Sequence, residues 1–227
     1  MKDLIEKIIK FIPEYLMNLG KLLARPKTFL EKSHPNTEQG FRSGLKFLAV
    51  SLVLFVIAVT PTMPNKLDIW KQLAAAAVGE FLAVAAAACV LRLAWRLVGG
   101  RASTRSLFTL YCYTSSVVVV LLAVISLIWD GILRVFDPAV HAAVWQAQLA
   151  HQSIPLEVAT SKAYLAAFGV LMCGFLVLTV WFIASWGAFR AVNHTTRGRS
   201  VVAFILANVL CLPVVFVLYL IGQALSP

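Results

Sequence analysis

Five long apolar runs, with lysine and arginine gathered in every second connection between them, constrain this chain more than any other feature. Phe47 to Asn65, Ser106 to Trp129, Ala163 to Phe189 and Ser200 to Pro227 contain no charged residue, and Gln72 to Leu91 contains one, Glu80. Each run supplies the roughly 20 residues that a helix rising about 1.5 Å per residue needs to cross about 30 Å of hydrocarbon. No water reaches backbone amides there, so a run of this length must satisfy them within itself, as a helix does. With 60% hydrophobic and 13% charged residues the chain is too apolar for a soluble domain of its size. The expected fold class is all-α: a polytopic membrane bundle with spans at about 45–63, 72–97, 106–129, 163–187 and 200–224, making up a membrane domain over 43–227.

Orientation follows from the basic residues. Lys2, Lys7, Lys10, Lys21, Arg25, Lys27, Lys32, Arg42 and Lys46 precede the first span. The connection from the second to the third span, with its flanking helix end, holds Arg92, Arg96, Arg101 and Arg105, and the one from the fourth to the fifth holds Arg190, Arg197 and Arg199. Only Lys66, Lys71, Arg134 and Lys162 fall on the other side, out of 20 lysines and arginines. Positive loops stay cytoplasmic during insertion, so the N-terminus is expected inside and the C-terminus outside. The net charge of +10 then reads as topology plus attraction to anionic lipid, with no nucleic-acid partner expected.

Residues 1–42 form a basic, amphipathic segment of their own. Leu4, Ile5, Ile8, Ile9, Ile12, Tyr15, Leu16, Leu19, Leu22 and Leu23 recur at three- and four-residue spacing, with Lys2, Asp3, Glu6, Lys7, Lys10, Glu14 and Lys21 at other angles. Such a helix is expected at headgroup level, where Lys2, Lys7, Lys10, Lys21, Arg25 and Lys27 would contact lipid or a partner. Packing against the bundle and docking of a partner are the alternatives. Pro13 should kink or split it. Trp70 and Trp129 are expected as anchors at the outer boundary, Trp95 and Trp186 at the inner one. Arg92 and Arg96 should snorkel to headgroups, and Gly99 and Gly100 should end the second span. In the outer connection Asp137 and Pro138 read as N-cap and first position of a short helix over Ala139 to Gln152, resting on the outer face.

Chemistry-bearing residues are sparse. Cys89, Cys112, Cys173 and Cys211 lie singly within spans and read as small apolar residues. The four histidines lack ligand spacing, although His141, His151 and Asp137 share the outer connection. No nucleophile has a base at a plausible spacing or depth, so neither an enzyme nor a cofactor is expected. One acid stands out. Glu80 lies about 12 Å below the outer start of the second span, where a bare carboxylate is costly. Ser115, Ser116 and Asn208 fall at similar depth, and the four are expected to form an intramembrane polar cluster, serving as glue between helices or as a proton or substrate site. The small residues Ala74 to Ala77, Gly79, Ala83 and Ala85 to Ala88 suggest that the second span sits at the bundle centre or at a dimer seam.

The chain also resembles a family. Leu22, Leu23, Arg25, Pro26 and Phe29, followed by Phe47 to Leu52 and then by Gly99, Gly100 and Ser103 leading to Tyr111 and Tyr113, are similar to the pattern of bacterial-type members of the Yip family of Rab-GTPase-interacting membrane proteins. A proline that often follows the tyrosines of the third span is replaced by Tyr113, Thr114, Ser115, Ser116 and Val117, and the Asp-Leu-Tyr-Gly-Pro motif of eukaryotic members is absent. What the resemblance implies is five helices with a cytoplasmic N-terminal segment, in a bacterial inner membrane. The functional expectation is a non-enzymatic scaffold or membrane-organising protein with lipid, a membrane-protein partner or a second copy as its contacts. A small channel or proton-coupled transporter built on Glu80 is the alternative.

Overall fold

A computed structural model describes the backbone of residues 2–59, 69–150 and 152–225, with side chains described for 12–58, 78–147, 150 and 152–213. Nine helices carry these residues: α1 (Lys2–Ala24), α2 (Pro26–Lys32), α3 (Glu38–Val59), α4 (Ile69–Leu97), α5 (Thr104–Phe136), α6 (Pro138–Leu149), α7 (Leu156–Ala159), α8 (Lys162–Asn193) and α9 (Arg197–Leu225). No strand occurs among the described residues. Four of the helices hold stretches long and apolar enough to cross a bilayer, at Glu38–Ala58, Val78–Leu97, Thr104–Phe136 and Lys162–Asn193. The fifth expected span coincides with α9, whose side chains beyond Pro213 lie outside those described.

The surface of these helices is apolar in a way that water does not tolerate. On α8 Leu165, Phe168, Met172, Leu176, Val180 and Ile183 all face outward, with Leu176 65% and Val180 67% exposed. Such a continuous apolar face on a long helix marks lipid contact rather than a soluble surface. Four such helices are compatible with a multi-pass membrane protein. The burial that does occur is concentrated on α5, which packs against α3, α4, α6 and α8. The central helix is therefore α5 and not the alanine-rich α4, which packs on α3, α5 and α9 and leaves Val78, Phe81 and Leu82 exposed. Small side chains permit close approach; a run of large inward residues such as Leu107, Leu110, Tyr113 and Val117 is what fills a centre.

Helix ends are set by local chemistry. Ser103 Oγ accepts the Ser106 amide at 3.1 Å and Ser161 Oγ the Tyr164 amide at 3.2 Å, starting α5 and α8. Asp137 Oδ1 accepts the Val140 amide at 3.0 Å, so α6 begins where the Asp-Pro pair indicated. α4 ends at Gly99 and Gly100, whose amides return to the Arg96 and Trp95 carbonyls at 3.0 and 2.7 Å, with Gly99 at φ +85°. A Cβ on Gly100 would stand 2.6 Å from Asn193 Oδ1, the atom that accepts the Ala102 amide and locks this turn against the end of α8. α1 runs unbroken through Pro13 rather than splitting there.

The N-terminal segment belongs to the bundle core. Tyr15, Leu19, Leu22 and Leu30 are buried in one cluster with Phe47, Trp95, Leu107, Tyr113, Trp186 and Phe189. Packing on the bundle is thus the reading that the inward face of α1 takes. Its neighbouring face, with Leu16 and Met17, stays exposed.

Candidate functional site

The four-residue polar cluster resolves into a pair. Ser115 on α5 donates its hydroxyl to Glu80 Oε1 on α4, bridging two packed helices. Ser116, one residue on, donates to the Cys112 carbonyl of its own helix at 2.7 Å. Asn208 lies exposed on α9 and its Nδ2 donates to the Phe204 carbonyl at 2.8 Å. Equal depth did not bring these groups together, because a short polar side chain on a helix can satisfy itself on the carbonyl one turn back. The arrangement at Glu80 is a helix-to-helix hydrogen bond.

The inner-boundary residues also turn inward. Trp95 is 1% exposed and stacks on Trp186 with ring centroids 5.3 Å apart, and Trp186 donates its indole N–H to the Ser200 carbonyl at 3.2 Å. They fasten α4, α8 and α9 to one another instead of anchoring at the lipid boundary. Arg92 does not snorkel: its guanidinium donates to Thr104 Oγ1 at the start of α5. Arg96 is exposed. The side chains of Trp70, Lys2, Lys7 and Lys10 lie outside those described.

Of the basic residues assigned to headgroup or partner contact, Lys21, Arg25 and Lys27 are exposed. Lys27 pairs with Glu31 at 3.7 Å, a surface pair one helical turn apart that contributes little. Tyr15 holds this segment down. Its hydroxyl meets Ser51 Oγ at 2.7 Å, its ring packs on Phe47 with centroids 4.6 Å apart, and burial pushes its phenol above the ordinary value of 10.0 despite the Ser51 bond.

A cavity of about 760 Å³ opens between α1, the turn joining α2 to α3, and the first part of α3. Glu14, Asn18, His34, Lys46, Phe47 and Tyr113 line it. The turn that shapes it requires Gly40, because a Cβ there would collide with the carbonyl oxygens of Ser33 and His34.

No protein-family model, curated protein or solved structure matches the chain. Function must therefore be argued from these groups.

A second polar centre, which the sequence reading missed, lies at the other end of α5. Asp130 is 6% exposed; its Oδ2 accepts from Arg134 Nε at 2.8 Å and its Oδ1 meets His141 Nε2 at 2.8 Å. Trp145 Nε1 stands 2.8 Å from the same His141 nitrogen and 3.4 Å from Asp130 Oδ1. One imidazole nitrogen cannot donate to the carboxylate and accept from the indole at once. Donation to Asp130 is the arrangement that pairs a buried charge, leaving the indole N–H directed at Oδ1. His141 is thus committed to Asp130 and Asp137 to its capping bond, while His151 lies outside the described residues. Among the described residues no three metal-ligating side chains converge. The signal was the four-residue spacing of Asp130 to Arg134 and of His141 to Trp145 on either side of the Asp-Pro turn.

Proposed function

We propose that this chain is a non-enzymatic membrane-organising scaffold, with the five spans and the cytoplasmic N-terminal segment that the bacterial-type Yip resemblance implies, in a bacterial inner membrane. The observation that carries the reading is the docking of α1 and α2. Their inward face is built into the core through Tyr15, Leu19, Leu22 and Leu30, while Lys21, Arg25 and Lys27 remain exposed beside exposed Leu16, Met17 and Leu23. A helix fixed in this way presents cations and apolar side chains at a constant height, which suits anionic headgroups above acyl chains.

Because α1 contributes to the core, neutralising its charges is a cleaner test than deleting it. Full-length protein and a Lys21→Gln, Arg25→Gln, Lys27→Gln form would be reconstituted in phosphatidylcholine vesicles containing phosphatidylglycerol, and lipid enrichment at the protein measured. Each cation near the surface contributes about 1 kcal/mol, so the triple change is expected to remove most of the enrichment, and high salt should do the same to the native chain. Equal enrichment in the two forms defeats the lipid-organising reading.

The transporter reading rests on Glu80 alone. If the Glu80–Ser115 bond is glue, Glu80→Gln keeps an acceptor for Ser115 and should change stability by less than about 1 kcal/mol. Proton or solute flux present in the native chain and abolished in Glu80→Gln vesicles would replace the scaffold reading with transport.

A further inference from the structure

We infer that the cavity beside α1 is a site for a zwitterionic phospho-amine headgroup, of the phosphatidylethanolamine class. The inference rests on the membrane reading above and deepens it. Its 760 Å³ falls within the roughly 300–1,000 Å³ typical of small-molecule sites.

Charge complementarity selects the occupant. The walls carry one carboxylate, Glu14 from α1, and cationic or N–H donors, Lys46 from α3 and His34 from the α2–α3 turn. Among the described residues neither Glu14 nor Lys46 forms an ion pair, so both present open hydrogen-bonding capacity to whatever enters. An ammonium offers three N–H donors to a carboxylate, and a phosphate accepts from lysine, imidazole and the nearby Ser43 hydroxyl. Aromatic rings complete the fit. Phe47 and Tyr113, with ring centroids 5.2 Å apart and little of either ring exposed, form the apolar floor of the same space. A purely anionic headgroup would leave Glu14 facing a like charge.

Depth selects the source. Lys46 is the last charged residue before the uncharged stretch of α3 that begins at Phe47, so the cavity straddles the level where headgroups meet hydrocarbon. One wall is α1, whose exposed Leu16 and Met17 suit the upper acyl chains. A lipid can enter sideways with its phosphate and amine in the cavity and its tails outside. The occupant is the lipid rather than a soluble phosphate ester.

The test uses the full chain in detergent, titrated separately with phosphatidylethanolamine, phosphatidylcholine and phosphatidylglycerol, with one-to-one adducts counted by native mass spectrometry. The N-methylated headgroup cannot donate to Glu14, and a charge-assisted bond corresponds to about tenfold in affinity, so phosphatidylethanolamine should be retained about tenfold better than phosphatidylcholine. Glu14→Gln should erase that preference. Lys46→Gln should lower retention of phosphatidylethanolamine by about tenfold and Lys46→Arg should restore much of it. Both residues are exposed, and unchanged melting of each variant will show that folding is intact. Equal retention of the two zwitterionic lipids, or indifference to both variants, would each overturn the assignment. Displacement by soluble phosphoethanolamine at comparable concentration would overturn the lipid as occupant. Enrichment of phosphatidylglycerol through Lys21, Arg25 and Lys27 is a separate readout, so failure here leaves the lipid-organising test unaffected.

Discussion

Replacing Tyr15 with alanine is expected to release α1 from the bundle. The side chain is fully buried, its ring lies 4.6 Å from that of Phe47, and its hydroxyl bonds Ser51 at 2.7 Å. Removing a buried aromatic ring costs about 3–5 kcal/mol, because transfer energy is lost and a cavity remains. Tyr15→Phe should cost only about 1 kcal/mol, since Ser51 keeps its own bond to the Phe47 carbonyl at 2.9 Å and only one hydrogen bond disappears. Limited proteolysis in detergent reports the difference: cleavage after Lys21 should accelerate in the alanine form and barely change in the phenylalanine form. The pH dependence has a definite sign. The docked state holds the phenol protonated above its ordinary value of 10.0, so its contribution is complete below that pH and is lost as pH rises further. Native protection should therefore weaken in strong alkali, and Tyr15→Phe should weaken less. Unchanged protection of the alanine form would mean that the segment is held elsewhere, and the scaffold reading would lose its fixed platform.

What could be read from the chain alone divides along physical lines. Period, length and end chemistry are local properties, and they located the four helices long and apolar enough to cross a bilayer, the Asp137–Pro138 start of α6 and the Gly99–Gly100 end of α4. Facing and partnership are not local. Position at the span ends points Trp95 and Trp186 to the lipid boundary, yet an indole there can stack on another as readily as on a headgroup. Asn208 and Ser116 were grouped with Glu80 by depth, which fixes height along a helix but not the side that faces a neighbour. Asp130 follows the apolar run and so falls in the outer connection by sequence; α5 instead continues to Phe136, carrying that carboxylate to a position where α6 folds back over it. Only the Glu80–Ser115 contact needed both depth and facing, and there the two agreed.

The outer centre gives the other large effect. Asp130→Ala removes the one carboxylate that receives Arg134 and His141 and to which the Trp145 indole is directed, at the point where α6 returns over α5. Breaking a buried charge pair from one side costs about 3–5 kcal/mol, but Arg134 is 48% exposed and recovers water, so about 2–3 kcal/mol is expected. Asp130→Asn keeps one acceptor and should cost about 1–2 kcal/mol. The two partners should separate in double-mutant cycles. Coupling with Arg134 is screened and should stay below about 1 kcal/mol. Coupling with His141, whose side chain is 19% exposed, should be larger, about 1–2 kcal/mol. Thermal unfolding in detergent measures the totals, and hydrogen exchange locates them: α6 amides should lose protection first, because only the small apolar cluster of Leu133, Val140, Val144, Ala163 and Ala167 with its partly buried neighbours would then hold that helix down. Equal melting of the native and alanine forms, or loss of protection spread evenly over α5, would show that apolar packing fixes α6 and that the buried carboxylate does not.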